Sequence, residues 1–399
     1  MLQKPNPHKD GILPALILST IAAMLATHLY TPSLPHLAVY FETTPAVVKL
    51  TMSFNVMAFG LMQLVYGPLS DRFGRRPVML IGLSGFAVFS LACAASQSIF
   101  QLIAARIGQG LFSAAEAVLV YAIIHDLYRN GDRVRALAVY GMAIALGPAA
   151  APVLGGYLQV YLGWRVIFFL IASVALAAVW LINRRLPESA PASAPPIRIW
   201  MIAADYGRLF INPGFMYYAL LTGTGSGIIM AMVTAFPFIL ISNFGVATQR
   251  FGLFMCVPVL SFVAANFLVR KLSGRVAAER LLNGGLALAA AGALLLCVLG
   301  FSDVLRPMSL VLSMSLATFG LGPVFAVAPM KALDETDCPT GTASAVVNAV
   351  PVLMASLAAL SLSVLHDGTS RPLALTLLGL LLVAGVCGGL AHGTKRKRQ

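Results

Sequence analysis

The sequence predicts an all-α polytopic membrane protein, with twelve transmembrane helices in two six-helix bundles. Three observations predict it: a charge-poor composition, a series of long uncharged stretches, and a one-sided placement of lysine and arginine. Of 399 residues, 59% are hydrophobic and only 10% are Asp, Glu, Lys or Arg. A soluble domain carries about 25% charged residues. This chain therefore cannot cover a water-facing surface of its own size. The composition excludes a soluble enzyme, a disordered chain and a collagen-like fibre. The net charge is +13. On a soluble protein that excess would suggest nucleic acid, so the placement of the charges has to decide.

A membrane helix needs about 20 mostly apolar residues. Eleven stretches of suitable length lack Asp, Glu, Lys and Arg: 11–41, 50–70, 77–105, 136–164, 166–183, 209–249, 251–269, 281–302, 307–330, 338–366 and 372–394. A twelfth, about 99–125, is interrupted only by Arg106 and Glu116. Stretch 209–249 could hold two spans by length. Asn212-Pro213-Gly214 and Asn243-Phe244-Gly245 bound one apolar segment inside it, so it counts once. Strands of a membrane barrel would be short and alternating; these runs are long and continuously apolar. Met1–Gly11 carries Lys4 and Lys9 ahead of the first run, like the start of a signal peptide. The run itself exceeds a signal's 7–15 residues and is assigned as the first span.

Lysine and arginine in the loops set orientation. With the N-terminus inside, 21 of the 27 basic residues fall on the inner side, among them Arg72, Arg75, Arg76, Arg270, Lys271 and the terminal Lys395–Arg398. Five lie outside: Lys49, Arg165, Arg250, Arg306 and Arg371. Arg106 is left within a helix. Both termini are thus expected in the cytoplasm of a bacterial inner membrane. The positive charge is a topology signal facing anionic lipid, and no nucleic-acid partner is expected. The longest hydrophilic connection, with Ala190–Pro196 as its flexible part, falls between the sixth and seventh spans. The expected division is 1–185 for the first bundle, 186–209 for a cytoplasmic linker and 210–399 for the second bundle. Two such repeats facing each other describe a transporter with its site near the midplane.

The loop after the second span reads GPLSDRFGRRP, 67–77. A tight basic turn would explain its arginines but not Asp71, the glycines or the spacing. Here the chain resembles the major facilitator superfamily, whose 2–3 loop follows G-x-x-x-D-R/K-x-G-R-R/K. Gly67, Asp71, Arg72, Gly74, Arg75 and Arg76 occupy its fixed positions. The resemblance implies that Asp71 sits against the start of the eleventh span and helps hold an outward-open state. An anion at a helix N-terminus gains about 0.3–1 kcal/mol. Thr340–Ser344 would offer the free N–H groups.

The fourth span contains Arg106-Ile107-Gly108-Gln109-Gly110, similar to the superfamily's R-x-x-Q-G. A charge inside an apolar helix marks a functional site by default. Arg106 could bond a proton-carrying carboxylate or an anionic substrate, or it could serve structure by bonding carbonyls of neighbouring helices. Glu116 is the only carboxylate far from a membrane edge. Ten residues place it about 15 Å from Arg106 and about 80° off its face, so the two do not simply pair. It is a candidate proton carrier, with a hydrogen-bonded structural carboxyl as the other reading. In the fifth span, GPAAAPVLGG (147–156) resembles the antiporter motif of the family. Gly147, Pro148, Pro152, Gly155 and Gly156 would shape this helix where the halves meet.

The end of the first span, LYTPSLPHL (29–37), together with TASAV (342–346) and with FPFIL followed by FGLFM in the seventh and eighth spans, narrows the resemblance to Bcr/CflA-type drug:proton antiporters. That group reads D-M-Y-x-P where this chain has His28-Leu29-Tyr30-Thr31-Pro32. The acidic proton or cation site of the group is therefore a histidine here. Histidine titrates close to physiological pH, so a proton role survives the exchange. His28, Tyr30, Arg106, Gln109 and Glu116 are the expected substrate and proton pathway. Two cargoes follow. The resemblance implies efflux of drugs or other small organic compounds. His28 with Arg106 suggests instead a dedicated anion, such as a carboxylate siderophore. An importer of the same fold ranks third.

No cofactor, metal or enzymatic activity is expected. GxxxxGK[ST], HExxH and GxSxG do not occur. GTGSG (223–227) lies inside a membrane span and reads as close helix packing. Cys93, Cys256, Cys297, Cys338 and Cys387 form no CxxC pair and read as small buried thiols. The expected partners are a small-molecule substrate, protons and the lipid bilayer, with the chain acting as a monomer.

Overall fold

The computed structural model describes residues 11–128, 130–189, 199–302, 304–338 and 340–398. Residues 1–10 and the Ala190–Pro196 segment lie outside it, as do the topology residues Lys4, Lys9, Arg129 and Arg198. Among the described residues there is no strand, only an isolated bridge between Ser273 and Val276.

Eleven helices among the described residues are long and apolar enough to cross a membrane. In order they are Ile12–Tyr40, Pro45–Phe73, Arg75–Ala95, Ile99–Leu127, Arg135–Leu162, Trp164–Arg185, Pro213–Asn243, Thr248–Leu272, Ala278–Phe301, Pro307–Asp334 and Thr342–Val364. The fifth helix begins at Asn130 and the eleventh at Thr340. Helix Arg371–Arg398 is the twelfth span, with its apolar part over Arg371–Cys387.

Local chemistry sets the ends. Thr44, Ser98 and Asn212 cap helices with their side chains, and Pro45 and Pro213 take first-turn positions where no N–H is needed. Gly74 and Gly163 adopt φ of 98° and 82° at the tight 2–3 and 5–6 turns. A side chain would be strained at either position.

The first span is not one α-helix. It changes to a 3₁₀ turn at Thr31–Ser33 and resumes as Leu34–Tyr40. Pro32 has no N–H to give the His28 carbonyl, and the Thr31 hydroxyl donates to that carbonyl at 2.8 Å instead. The seventh span ends in a π turn, Phe238–Asn243, after Pro237. The connection between the sixth and seventh spans also differs from a plain linker. It contains a 13-residue helix, Ile199–Ile211. Its apolar and polar residues alternate with helical period, which a search for uncharged stretches passes over. Tyr206 on this helix donates to the Leu64 carbonyl of the second span at 3.3 Å. Pro68 lies four residues after Leu64, so that carbonyl has no partner of its own in the helix.

The first span packs on the fifth and sixth, the second on the fourth, and the third on the fourth and sixth. Adding six to each number gives pairings of the remaining spans: seventh on eleventh and twelfth, eighth on tenth, ninth on tenth and twelfth. Between the two sets, the second span meets the eleventh and the fifth meets the eighth. The motif glycines of the fifth span allow close approach. Gly155 lies against the Leu29 carbonyl, and a Cβ at Gly156 would stand 2.5 Å from the Thr248 carbonyl oxygen. Gly252 in turn lies against the backbone of Val153. Gly223, Gly225 and Gly227 are packed against Met354, Phe325 and Leu380, so the GTGSG run is a close-packing face.

Gly156→Val places a branched side chain where that carbonyl lies. Overpacking of this kind costs about 1–3 kcal/mol. The variant is expected to melt at a lower temperature than the parent in matched detergent, by several degrees, while Gly141→Ala, where nothing lies within 4 Å, leaves it unchanged.

Candidate functional site

Arg106 is fully buried, at 0% exposure. It lies about two turns inside the fourth span, whose first residue is Ile99. Its Nη1 donates to the Ala26 carbonyl at 3.0 Å and to the Gln109 Oε1 atom. Nη2 approaches the Met52 sulfur at 3.9 Å. The guanidinium stands 4.4 Å from the centre of the Tyr30 ring and 6.0 Å from that of Phe168. Gln109 in turn donates to Ser90 Oγ at 2.7 Å, and Tyr30 pairs its hydroxyl with Thr51 at 2.9 Å. Asn55 donates to the backbone carbonyl of Arg106 itself. No carboxylate among the described residues pairs with Arg106. Its charge is met by carbonyl and amide oxygens and by an aromatic face, each worth less than a counter-ion but each desolvated.

Glu116 is a separate centre. It is also buried, at 2% exposure, and the Thr20 hydroxyl of the first span donates to its Oε1. The same hydroxyl lies 3.0 Å from the Leu16 carbonyl. Tyr140 of the fifth span, itself buried, neighbours both Thr20 and Glu116. Tyr121 packs edge-on against Tyr140 with ring centres 4.9 Å apart. The two centres use opposite stretches of the first span, Ala26–Tyr30 for Arg106 and Leu16–Thr20 for Glu116. The sequence expectation that Arg106 and Glu116 do not pair agrees with these separate partners.

His28 is buried, and its Nδ1 has no partner among the described residues. No described contact joins its ring to Arg106. The five expected pathway residues thus separate: Tyr30, Arg106 and Gln109 form one cluster, Glu116 belongs to another, and His28 stands apart.

The 2–3 loop forms a charge cluster within the first six spans. Arg75 Nη1 pairs with Asp71 at 2.6 Å, and its Nε lies 3.4 Å from Asp126. It also donates to Ser70 Oγ. The Arg75 backbone N–H donates to Glu188 at 2.8 Å, and Arg76 bonds both the backbone and side-chain oxygens of Asn183. Gly74 lies against the Glu188 carboxylate, where a Cβ would collide. Gly67 has open space around it, and Arg72 stacks over Phe73 at 5.2 Å. Among the described residues, no bond joins Asp71 to the eleventh span.

Thr20, Tyr140, Ser90, Asp126 and Glu188 were not singled out by sequence reasoning. Asp126 and Glu188 stand at loop edges where a carboxylate is ordinary. Thr20 is one hydroxyl in an apolar run. Only the spatial neighbour gives each its meaning.

Residues 16–359 match the family described as the Major Facilitator Superfamily. The chain is 28% identical to "Multidrug resistance protein D" of Escherichia coli (strain K12) over 376 residues, covering 94% of each chain. It is 26% identical to "Bicyclomycin resistance protein homolog" of Haemophilus influenzae over 385 residues, covering 95% of this chain and 96% of that one. A "Chloramphenicol resistance protein" of Pseudomonas aeruginosa is 28% identical over 386 residues, with 94% and 90% covered. Among solved structures, a bacterial homolog to the human lysosomal transporter Spinster, inward-facing and occupied, superposes with a TM-score of 0.77 at 15% identity, covering 98% of both chains. A D-xylose-proton symporter gives 0.73 at 16% identity, covering 95% of this chain and 97% of that one. At such identities these two speak for the fold alone.

Gln109→Leu removes the side-chain acceptor of a buried guanidinium. A buried donor left unmet costs about 1–3 kcal/mol. The variant is expected to melt several degrees lower, and Gln109→Glu, which keeps an acceptor, is expected to recover most of that loss.

Proposed function

The chain belongs to the major facilitator superfamily and is an integral membrane transporter, not an enzyme; from that premise we propose that it exports small organic compounds, drugs among them, by proton-driven alternating access. Similarity over more than nine-tenths of the chain to relatives named for resistance to drugs supports the cargo class. The observation that carries the coupling is Glu116. Its described partner is a hydroxyl, not a cation. When ionised, the carboxylate accepts from Thr20. When protonated, it donates to Thr20, whose own proton then goes to the Leu16 carbonyl. Both states are hydrogen-bonded, as a group that loads and releases a proton in a dry interior needs.

In this reading residues 1–185 and 210–399 are the two moving bundles, joined by 186–209. The face carrying the basic loops is cytoplasmic, both termini lie there, the membrane is the bacterial inner membrane and the working unit is a monomer. The bonds His36–Thr248, Lys49–Leu362 and Ser363–Ala46 join the bundles on the opposite, outer face. The structure then represents a carrier sealed outside. Asp71, paired with Arg75 in this state, would meet the eleventh span when the inner side closes. His28 can take a proton at Nδ1 without breaking a described bond, and it is the second candidate on the proton path.

The anionic cargo is the weaker reading. It relied on Arg106 facing the cavity with His28. Arg106 is instead fully buried, with its Nη1 bonded to Ala26 and Gln109 and its face covered by Tyr30.

Efflux-deficient bacteria expressing the protein are expected to accumulate less chloramphenicol and less of a cationic dye than controls, and collapsing the pH gradient should abolish the difference. Efflux that persists without the gradient would remove proton coupling. Glu116→Gln is expected to bind drug but lose gradient-driven efflux. Thr20→Val takes away the donor that the ionised carboxylate uses. Efflux should fall roughly tenfold for the loss of a hydrogen bond to a charged group, about 1.5 kcal/mol, and Thr20→Ser should restore it.

A further inference from the structure

Lys49 lies in the first turns of the second span and is 3% exposed. A loop lysine on the outer face would ordinarily reach water. This one reaches across to the other bundle. Its Nζ donates to the Leu362 carbonyl at 3.2 Å and lies 3.0 Å from His366 Nδ1, both at the end of the eleventh span. It also stands 5.1 Å from the centre of the Phe238 ring in the seventh. A lysine ammonium has donors only, so it can bond Nδ1 only when His366 is neutral. Protonation turns Nδ1 into a donor and sets two cations face to face.

We propose that His366 is a proton-binding site at the outer mouth, and that its proton releases the Lys49 clasp between the second and eleventh spans. The inference rests on the proton-driven alternating reading above and adds the place where an outside proton acts on the gate. His366 is half-buried, so outer water reaches it.

The groups facing His366 are few. The second span presents Lys49. The seventh presents the uncharged Phe238, Ile239 and Asn243, and Asn243 donates to the Gly368 carbonyl at 2.7 Å. On its own loop, the Asp367 carboxylate accepts from the Thr369 N–H and hydroxyl, each at 2.8 Å. Arg371 stacks over Phe301, 5.5 Å from its ring centre. Burial, and then the Lys49 charge, push His366 below the ordinary histidine range, against the pull of Asp367. Opening the mouth would return His366 to water and remove both effects. The closed mouth therefore binds the proton more weakly than the open one. The histidine's contribution to the clasp is fully present above about pH 6.5, the ordinary histidine value, and is lost as pH falls through and below it. The His36–Thr248 pair on the same face, at 3.1 Å, differs in kind. A hydroxyl both donates and accepts, so that pair survives either state of the histidine.

The test uses the purified full-length protein in lipid nanodiscs, with the five native cysteines replaced. Spin labels at Gln97→Cys and Val304→Cys occupy exposed sites in outer loops of opposite bundles. Distances are read by pulsed electron resonance from about pH 8 to about pH 5, spanning the histidine range. The parent should pass from a short to a long distance, with up to a tenfold change in the ratio of populations for each unit separating the two histidine affinities. His366→Gln keeps an acceptor for Lys49 and does not titrate, so it should stay short throughout. Lys49→Met should favour the long distance even at about pH 8. The proposal is overturned if the parent shows no opening with pH, if His366→Gln opens with the parent's midpoint, or if Lys49→Met stays closed. Drug transport by the parent in sealed vesicles is measured separately. Its absence alongside an intact His366-dependent opening would overturn the proposed function and leave the clasp standing.

Discussion

A bilayer interior offers no water to an unmet carbonyl or charge, and this constraint shapes several features of the fold described above. Pro32 frees the His28 carbonyl, and the adjacent Thr31 hydroxyl meets it. Pro68 frees the Leu64 carbonyl, and Tyr206 meets it from a helix far away in sequence. Arg106 directs Nη1 to Ala26 and Gln109 and lays its face on Tyr30. Lys49 turns inward to the end of a helix in the other bundle. In water each of these groups could have been left to solvent. In lipid each fixes a neighbour, and the sum of those neighbours is the architecture.

The same constraint separates two kinds of buried charge. Arg106 is held by groups that do not titrate, so its environment is static and it pins the first, second and fourth spans together. Glu116 is held by a hydroxyl that can reverse its role, so its environment accommodates two protonation states. On the proposed reading a structural charge and a transport charge share one helix, distinguished by the chemistry of their partners rather than by depth.

The span count and the break into two sets of six were legible from charge placement, because charge is what a bilayer sorts first; the 2–3 motif was legible from the spacing of Asp71 and its glycines. The Ile199–Ile211 helix was not, since its polar residues hid it within a connection that reads as linker. Arg106 and Glu116 were visible as anomalies in an apolar run, and their separation followed from helical geometry. Their partners were not visible. Thr20 and Ser90 are unremarkable hydroxyls until folding sets them beside a charge. Lys49 reads in the sequence as one of five outer basic residues, an expectation about topology that is silent about its burial. The anion-favouring cavity expected of His28 with Arg106 is not supported, because the burial of Arg106 among its own partners is a tertiary outcome.

The fifth and eighth spans meet through glycines laid against backbone, Gly156 on Thr248 and Gly252 on Val153. Contacts of this kind lack interlocking knobs. A rocking motion across them would disturb few rotamers, much as a smooth bearing turns where a toothed one would jam. Such a pivot has no preferred direction of its own. On the proposed reading the bias between its two positions comes from titratable groups away from the pivot, Glu116 in the interior and His366 beside the buried Lys49 at the rim.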